Sequence, residues 1–423
     1  MKQQKFELMT VIIFCMFLAY GFIFFKAFGV GKMYFPFHRY IIIMAVIIFI
    51  INLRQLAPTI KQNTLLFLLP IYVLTTSLWA GEPIHAIKSA IFLTVIILLG
   101  LQTAPIFVRR PAYTLSIISI FLTALVLISA YLIRFNPGVG VDSLHFDRPR
   151  WVGVTSHPNT LGEICMLTIW CNISLIVLHR SKTIKILSIL AIVISGLLLY
   201  GSDSITSIIS SIALSATASY VLFKKNRPAM VFLIIVIFIL LSMLLLKSGF
   251  FTVDYLEHIT GRGATLTTLT GRTLIWKHAI DSIILKPIGG WGFDDLDVLT
   301  KRFGIVMSHI HNGYIELVVK GGFIALALFI IYGAITIRRL FRIEKVDKKS
   351  YLILTSGMIM ELVHNFAESS ILRGLNPLWV IMVLLYFVIA IRSSHVAELS
   401  PARVKTKNKN NRILRKRALR RFV

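Results

Sequence analysis

The chain alternates between long apolar runs and short polar segments, a pattern typical of proteins that cross a membrane several times. A spanning helix needs about 20 predominantly apolar residues. Twelve runs, of which the second is short, are predicted to span: 8–25, 40–53, 64–80, 87–107, 112–133, 160–178, 184–200, 204–223, 229–246, 314–337, 350–367 and 375–392. Two hydrophilic stretches, 134–159 and 247–313, interrupt them. The pattern predicts an all-α integral membrane protein of about 12 transmembrane helices, with a long loop between spans 9 and 10.

The composition agrees with a membrane protein and excludes several other classes. Of the 423 residues, 57% are hydrophobic and 15% are charged, whereas soluble domains average about 45–50% and 25%. A soluble enzyme, a disordered chain and a secreted disulfide scaffold are therefore excluded. The formal net charge of +27 is of the size found in nucleic-acid-binding proteins. Because the basic residues lie in short loops and in the C-terminal tail, we expect no nucleic-acid partner.

The distribution of Lys and Arg predicts how the chain is oriented. Loops that stay in the cytoplasm carry an excess of these residues. With a cytoplasmic N-terminus, 29 of the 45 Lys and Arg residues fall on the cytoplasmic side. Both termini are then cytoplasmic, and both hydrophilic stretches face the other side. We expect residues 1–392 to form one membrane domain and residues 393–423 to form a basic cytoplasmic tail beside anionic headgroups.

The placement of the loops distinguishes the chain from a twelve-helix transporter. Such transporters are built from two repeated halves, and their largest loop is expected in the middle of the chain, on the cytoplasmic side. Here the sequence has no visible internal repeat, and the largest loop, 247–313, faces outward. This asymmetry argues against a transporter.

Unusual polar residues gather at the outer ends of the predicted spans. They are His157, Asn159, Asp203, Arg272, His309, His311, His364, Glu368 and Arg373. Ionisable groups close to hydrocarbon are costly, so a cluster at one interface indicates a functional site. The alternative is that water at the interface simply solvates them. Asp203 begins a polar face on span 8 and needs a partner such as an Arg.

Two of these residues have side chains suited to chemistry at a phosphate. Arg272 lies at the start of the segment GRTLIWKHAIDSIILKPIGGWGFDDL, whose apolar residues have the spacing of an amphipathic helix that lies in the outer interface and stops at Pro287. A guanidinium near the headgroups offers paired donors to a phosphate. His311 stands just before span 10, where a neutral imidazole is able to take a proton from a sugar hydroxyl at physiological pH.

Three separated motifs carry a resemblance to a known family. They are HPNTLGE at 157–163, GRTLIW at 271–276 and HIHNGYIELVVKGG at 309–322. With the spans and the long outward loop, this ordered set resembles the O-antigen ligase/polymerase superfamily, with core motifs within 155–325. The resemblance implies a glycosyltransferase at the periplasmic face of the bacterial inner membrane. It would move glycan from undecaprenyl diphosphate to an acceptor hydroxyl, with neither a metal nor another cofactor.

The resemblance also implies roles for individual residues. Arg272 matches the family's loop Arg, which holds the diphosphate. His311 matches the His that activates the acceptor or positions the carrier, and Asn312 fills the following position. The residues expected to bind substrate are Arg148, Arg150, His157, Asn159, Asp203, His309, Asn312, Glu368 and Arg373.

Two departures from the ligase pattern favour a polymerase. Ligases usually have an Arg in span 8, where this chain reads SDSIT at 202–206. A ligase motif also continues from Gly322 to Gly, Thr or Tyr three positions on, where this chain has Ala325. The span 8 sequence is more similar to exopolysaccharide polymerases. The missing Arg leaves one phosphate contact vacant, and the candidates to supply it are Arg148, Arg150 and Arg373.

Four functions are compatible with the sequence. The first is a polymerase that joins undecaprenyl-diphosphate-linked repeat units into O-antigen or exopolysaccharide by an inverting displacement. The second is a ligase that transfers glycan to lipid A–core. A lipid-linked-sugar transporter and a structural or assembly subunit are the alternatives without glycosyltransferase activity. The expected partners are the lipid-linked glycan, an acceptor glycan or lipid A–core, and membrane lipids; a chain-length-regulating copolymerase is left open.

Overall fold

The computed structural model describes residues 2–22, 37–143, 149–222, 272–293, 296, 309–374 and 376–398. The helices are α1 (Lys2–Phe22), α2 (Phe37–Gln62), α3 (Leu68–Thr75), α4 (Pro83–Arg109), α5 (Pro111–Phe135), α6 (Pro137–Gly140), α7 (Pro158–Leu178), α8 (Lys182–Ser202), α9 (Ile205–Leu222), α10 (Arg272–Leu285), α11 (Gly313–Glu344), α12 (Lys348–His364) and α13 (Pro377–Glu398). Short 3-10 turns flank α3 at Thr64–Phe67 and Thr76–Leu78. A two-residue antiparallel pair joins β1 (Val141–Asp142) to β2 (Arg150–Trp151).

The helices identify a multi-pass membrane protein. Eight helices of the described ranges are long and apolar enough to cross a membrane: α1, α2, α4, α5, α7, α8, α11 and α13. Two shorter apolar helical stretches, Thr64–Leu78 and Ile205–Tyr220, accompany them. The all-α class is confirmed. The predicted span at 229–246 lies outside the described residues, so the total of twelve stays a prediction.

Polar contacts between helix ends agree with the predicted orientation of the spans. Arg339 donates to the side chain of Asn63 over 2.8 Å, and Arg392 pairs with Asp347. All four residues belong to segments or span ends predicted to be cytoplasmic, although they are far apart in the sequence. The spans therefore run in directions that bring the predicted cytoplasmic ends together.

Parallel helix pairs support the same arrangement. A Cβ on Gly100 of α4 would meet Val383 of α13, and one on Gly374, just before α13, would meet Phe92 of α4. The two helices therefore run in the same direction, as spans 4 and 12 must if twelve spans alternate. At the other predicted outer ends, Gly162 of α7 lies so close to α9 that a Cβ would come within 2.7 Å of Ser204.

The surface of the helices suits a lipid environment. Ile50 of α2 and Leu197 of α8 are 64% and 61% exposed. A broad exposed apolar surface promotes association in water, whereas in a bilayer it contacts acyl chains. By contrast, Trp170 of α7 is fully buried among its neighbours, which places α7 inside the helix assembly.

Helix α11 is interrupted at Gly322, where the segment 287–292 inserts against it. The amide of Phe323 donates to Pro287 O over 2.8 Å, and the amide of Trp291 donates to Val319 O over 2.9 Å. These bonds satisfy main-chain groups that the break would otherwise leave unpaired, as a non-aqueous environment requires. Gly322 has φ +61°, and a Cβ there would lie 2.0 Å from Ile288 O. The position therefore requires glycine.

We predict that Gly322→Ala destabilises the protein, whereas Gly333→Ala in the same helix does not. The combination of this φ with a ψ of −167° is open essentially to glycine alone and costs a side-chain-bearing residue roughly 1–3 kcal/mol, and the contact with Ile288 adds to this. A Cβ on Gly333 meets nothing within 4 Å. Thermal unfolding in detergent measures the difference. Equal unfolding temperatures for the two variants would show that the inserted segment does not require Gly322.

Candidate functional site

The carboxylate of Glu368 is the meeting point of three distant segments. Its Oε1 accepts hydrogen bonds from Asn159 Nδ2 at 2.5 Å and from Arg272 Nη2 at 2.8 Å, and its Oε2 lies 3.3 Å from His311 Nδ1. Asn159 belongs to the first turn of α7, Arg272 to the first turn of α10, and His311 to the segment before α11. We call Asn159, Arg272, His311 and Glu368 the Glu368 cluster.

The loop that carries Glu368 is built around the side chain of Asn365. Asn365 Nδ2 donates to Glu361 O and to Ser370 Oγ, while its Oδ1 accepts from the amides of Ser370 and Ile371. Asn365 is fully buried. These bonds fold the chain tightly after α12 and hold Glu368 at the helix end.

The histidine segment is fixed by the start of α11. Asn312 Oδ1 caps this helix by accepting from the amides of Tyr314 and Ile315, both at 3.0 Å. The Asn312 Nδ2 donates to Phe366 O, so its amide group is engaged with main chain on both sides. His311, immediately before the cap, has φ +54°. This left-handed backbone is uncommon for a residue with a side chain.

Arg272 is fixed partly by main chain and partly by charge. Its Nη1 donates to Ala367 O, next to the ion pair with Glu368. Its Nε has no hydrogen-bond partner among the described residues. Four residues on in α10, Trp276 Nε1 donates to Ile310 O over 2.9 Å. Helix α10 is thereby attached to the histidine segment, and Arg272 keeps a free donor.

Arg150 is the Arg partner expected for Asp203. Its guanidinium donates to the main-chain oxygens of Ser202 and Asp203 over 2.7–3.0 Å, and its Nε lies 3.8 Å from Asp203 Oδ2. It also reaches Asn159 Oδ1 at 3.4 Å. Only 5% of the Arg150 side chain is exposed. Arg150 therefore stabilises the turn between α8 and α9 and connects it to the Glu368 cluster.

A cavity of about 550 Å³ lies beside the cluster. It is lined mainly by basic and polar side chains from the predicted outer ends of the spans, and we call it the basic cavity. Its ionisable lining residues are His85, Lys88, His157, Glu163, His309, Lys320, Glu368 and Arg373. Lys320 is paired with Glu316, and Glu368 with Arg272. Of the remaining charged lining residues, Lys88 and Arg373 outnumber the single carboxyl group of Glu163. Such a cavity suits an anionic ligand.

Burial and neighbouring charges set the protonation of the cluster. Burial alone would raise the pKa of Glu368, but the hydrogen bond from His311 and the charge of Arg272 outweigh it and lower that pKa to about 2. Burial lowers the pKa of His309 to about 4, assisted by His311 and Arg373. Burial also lowers the pKa of His157. At neutral pH the site therefore holds an ionised Glu368 with two neutral imidazoles nearby.

One set of side chains has the composition of a metal site. Nitrogen or oxygen atoms of His309, His311 and Glu368 all lie within 4.8 Å of one another, and two imidazoles with a carboxylate suit several divalent metals. Both oxygens of Glu368 are, however, engaged by Asn159, Arg272 and His311. A dication bound there would lie next to the Arg272 guanidinium. The described contacts therefore fit the Arg–carboxylate pair better than a metal ion.

The structure places the predicted site residues in two connected regions. The Glu368 cluster and its Arg150–Asp203 neighbour form one region, and the basic cavity, with His157, His309 and Arg373, forms the other. Asn312 supports both as a helix cap. His364 is fully buried, with Nε2 3.4 Å from Ser207 Oγ, and its main-chain oxygen accepts from the amide of Glu368 over 3.0 Å. Arg148 lies outside the described residues.

Two lining residues of the cavity, Lys88 and Lys320, were not among the predicted site residues. Lys88 follows the same outer-end pattern as the predicted residues and was recognisable by it. Lys320 stands inside an apolar run, where it pairs with Glu316 four residues earlier over 2.8 Å. Glu316 also accepts from the amide of Ile310. The Glu-xxx-Lys spacing was the available signal.

Comparison with known proteins tests the resemblance. Residues 190–330 match the O-antigen ligase family. The resemblance to the O-antigen ligase/polymerase superfamily is thereby confirmed for a stretch that includes Asp203, Arg272 and His311. The exopolysaccharide production protein ExoQ of Rhizobium meliloti (strain 1021) is 32% identical over 138 residues, which are 29% of this chain and 30% of that relative. The match thus spans less than a third of either protein.

Part of the site lies beyond the matched O-antigen ligase residues. Asn159 precedes them and Glu368 follows them. Both nevertheless belong to the same cluster as Arg272, because Glu368 accepts hydrogen bonds from Asn159 and from Arg272. The HPNTLGE motif at 157–163 is likewise outside the match. The Glu368 cluster therefore combines residues inside the matched range 190–330 with residues on both sides of that range.

We predict that Glu368→Gln lowers the free energy of unfolding by roughly 3 kcal/mol, because removing one partner leaves the other buried charge uncompensated. Because the pKa of Glu368 is lowered in the folded protein, the pair stabilises the protein fully at pH values above 4.5, the ordinary pKa of a glutamate. This stabilisation is lost as the pH falls toward 2. The deficit should therefore not shrink between pH 8 and pH 5. Unfolding in detergent, followed by tryptophan fluorescence, measures it.

The exposed Asp281 of α10 provides the control, since Asp281→Asn removes an acid that belongs to the same predicted outer side and is not part of the Glu368 cluster. That change should stay within about 0.5 kcal/mol. A Glu368→Gln deficit as small as that of Asp281→Asn would contradict the structural importance of the cluster.

Proposed function

We propose that this protein is a glycosyltransferase that polymerises glycan repeat units carried on a polyprenyl diphosphate, at the periplasmic face of the bacterial inner membrane. One observation carries the proposal: the Glu368 cluster joins a histidine and an arginine at the edge of the basic cavity. The family match and the relative named for exopolysaccharide production support the same class of substrate.

His311 and Glu368 form a pair suited to general-base catalysis. With Nδ1–H donating to the Glu368 carboxylate 3.3 Å away, the imidazole leaves Nε2 unprotonated and able to accept a proton. The carboxylate then stabilises the imidazolium that forms. Because the pKa of Glu368 is lowered to about 2, this stabilising charge is present at every physiological pH.

The basic cavity is suited to the diphosphate of the carrier. Lys88, Lys320 and Arg373 line it, and the contact of the Arg373 guanidinium within the described part of the chain is a long one, 3.4 Å to Ser369 O. Arg272 is engaged by Glu368, and its buried Nε has no hydrogen-bond partner in the described ranges. We assign initial binding of the diphosphate to the cavity cations, and stabilisation of the charge that develops during transfer to Arg272.

The reaction follows from these roles. His311 Nε2 takes the proton of the acceptor hydroxyl as its oxygen attacks the anomeric carbon. The bond from that carbon to the phosphate oxygen breaks, and the diphosphate leaves with the electron pair and later receives the proton from His311 or from water. Attack opposite the leaving group inverts the anomeric centre. Neither a metal ion nor a nucleotide is needed, because the diphosphate is already a good leaving group.

The acceptor distinguishes the polymerase from a ligase. The matching family is described as O-antigen ligase, which favours lipid A–core as acceptor. The relative is named for exopolysaccharide production, and the SDSIT sequence at 202–206 favours a second lipid-linked repeat unit. We infer the polymerase, acting within a membrane domain of residues 1–392 with both termini cytoplasmic. A chain-length-regulating partner is compatible with this role.

The decisive experiment supplies purified protein with a polyprenyl-diphosphate-linked repeat unit in the presence of EDTA. We expect a ladder of longer lipid-linked oligomers. His311→Ala should lower the rate by roughly 10²–10⁴-fold, since a general base is lost. Arg272→Lys should lower it by roughly 10²-fold, because an ammonium cannot reproduce the planar fork.

The exposed His395, at the opposite end of the molecule, provides a matched control for the histidine change. His395→Ala should leave the rate unchanged. Extension only after lipid A–core is added would establish a ligase instead. An unaltered rate in Arg272→Lys would remove Arg272 from the mechanism, and no transfer to either acceptor would overturn the glycosyltransferase assignment.

We also predict that Arg373→Gln raises the KM for the lipid-linked donor roughly tenfold or more, the value of one charged hydrogen bond, while kcat changes less. Arg134, an exposed residue at the predicted outer end of α5, does not line the basic cavity. Arg134→Gln should therefore keep the wild-type KM. Steady-state kinetics at fixed ionic strength compare the two, and equal KM values would exclude Arg373 from donor binding.

A further inference from the structure

Two buried glutamates of neighbouring helices have no role in the mechanism proposed above. Glu163 belongs to α7 and Glu361 to α12, and they are 7% and 0% exposed. Both carboxyl oxygens of Glu361 are buried and have no hydrogen-bond partner among the described residues. Glu163 lines the basic cavity. We call Glu163 and Glu361 the carboxyl pair.

The packing of α7 against α12 places the two carboxyl groups at the same level. Trp170 Nε1 donates to Ile353 O over 3.1 Å, and a Cβ on Gly357 would come within 3.0 Å of the same indole. From this contact, about two helical turns toward the predicted outer side lead to Glu163 on one helix and to Glu361 on the other. This is roughly 10 Å along each axis. The two carboxyl groups are close enough to interact electrostatically.

A third helix joins this contact at the predicted outer side. Ser207 Oγ of α9 lies 3.4 Å from Nε2 of His364, and a Cβ on Gly162 would come within 2.7 Å of the same hydroxyl oxygen. Gly162 adjoins Glu163 in α7, and His364 lies nearly one turn after Glu361 in α12. The three helices therefore meet beside the carboxyl pair.

The described surroundings hold too little positive charge for two ionised carboxylates. Glu163 is the charged group that acts on Glu361, and Glu368 and Arg373 act on Glu163 from the loop after α12. Other titratable or charged groups on the surrounding elements and across the cavity are His85, Lys88, His157, Cys165, Asp203, Arg272, His309, Lys320 and His364. Two adjacent carboxyl groups in such a place do not both ionise. The pair must keep at least one proton unless a metal cation replaces it.

We propose that Glu163, kept protonated by the neighbouring Glu361, donates a hydrogen bond to a phosphate group in the basic cavity. An ionised carboxylate in the cavity wall would repel an anion, whereas a neutral carboxyl offers one O–H donor. The inference rests on the proposed function, because that function places a diphosphate in this cavity. Anion binding and proton binding are then linked: loss of the proton as the pH rises weakens binding of the diphosphate.

Two isosteric substitutions should change binding in opposite directions. Glu163→Gln keeps a hydrogen-bond donor that cannot ionise, so anion binding should persist at high pH. Glu361→Gln removes the neighbouring carboxyl group, which lets Glu163 ionise at a lower pH and should weaken binding at neutral pH. Glu82→Gln is the matched control, because Glu82 is exposed on the predicted outer side and is outside the described lining of the basic cavity.

Calorimetry with inorganic pyrophosphate measures the Kd of each purified protein between pH 6 and pH 9. The titration of pyrophosphate itself is common to all four proteins and cancels in the ratio of each Kd to that of the wild type. Glu163→Gln should bind about as tightly as the wild type at pH 6 and roughly tenfold more tightly at pH 9, the value of one charged hydrogen bond. Glu361→Gln should bind roughly tenfold more weakly at pH 7, and Glu82→Gln should match the wild type throughout.

Infrared difference spectra identify what neutralises the pair without relying on anion binding. Between pH 6 and pH 9 the wild type and Glu82→Gln should lose the carbonyl stretch of a neutral carboxyl group, and Glu163→Gln should lack this change. Spectra without such a change in the wild type would overturn the proposal. An unfolding temperature raised by Na⁺ or K⁺ would then show that the pair holds a metal cation instead.

The binding outcomes are equally decisive. A wild type that does not bind pyrophosphate, or Kd ratios that stay constant with pH, would remove Glu163 from anion binding. If Glu361→Gln does not elute as a folded protein, the ratios of Glu163→Gln decide alone. The expected ratios in a protein that polymerises nothing would uphold this inference and overturn only the proposed function, whereas polymerisation without those ratios would overturn only this inference.

Discussion

The outer half of the molecule depends on the contacts made by the ionised carboxylate of Glu368. Only 9% of its side chain is exposed, and a charge in such surroundings is tolerated only when partners compensate it. Asn159, Arg272 and His311 do so, each from a different segment of the chain. Because all three contacts form at one carboxyl group, they fix the loop after α12 against α7, α10 and the start of α11.

The same constraint accounts for the strained backbone around the site. Within the described ranges, the non-glycine residues with positive φ are Asp203, His311 and Leu372. Each follows or precedes a helix end beside the site, where a left-handed residue costs roughly 1–2 kcal/mol. Strain of this kind persists only where surrounding contacts over-determine the conformation. The Arg150 contacts at Asp203 and the Glu368 contact at His311 are such contacts, so both residues are held in the positive-φ conformation by distant parts of the chain.

How much was predictable follows from the range of each interaction. An apolar run by itself predicts a helix, and polar residues at the outer ends of spans indicate that they lie on the same side of the membrane. The spans and most of the site residues could therefore be recognised from local sequence. The sequence predicted that Asp203 needs a partner such as an Arg, but it did not identify Arg150 as that partner, because the pairing depends on how α7, α8 and α9 meet. The break at Gly322 was not predictable, since it is caused by residues 287–292 from a segment that reads as an ordinary loop. Lys320 stands within an apolar run, and its place in the cavity wall depends on contacts between distant segments.

In the transfer reaction proposed above, the ion pair between Glu368 and Arg272 bears on how the diphosphate product is released. A free guanidinium next to the basic cavity would bind the diphosphate equally well before and after transfer, and such uniform binding does not accelerate the chemical step. With Glu368 already 2.8 Å away, Arg272 gains little from a resting diphosphate. It gains more as the carbon–oxygen bond breaks and negative charge grows on the leaving oxygen, at the moment when His311 becomes positive and draws on the same carboxylate. In the proposed mechanism Glu368 would therefore couple proton removal to charge stabilisation, because a shift of its interaction toward His311 would release the guanidinium toward the leaving group.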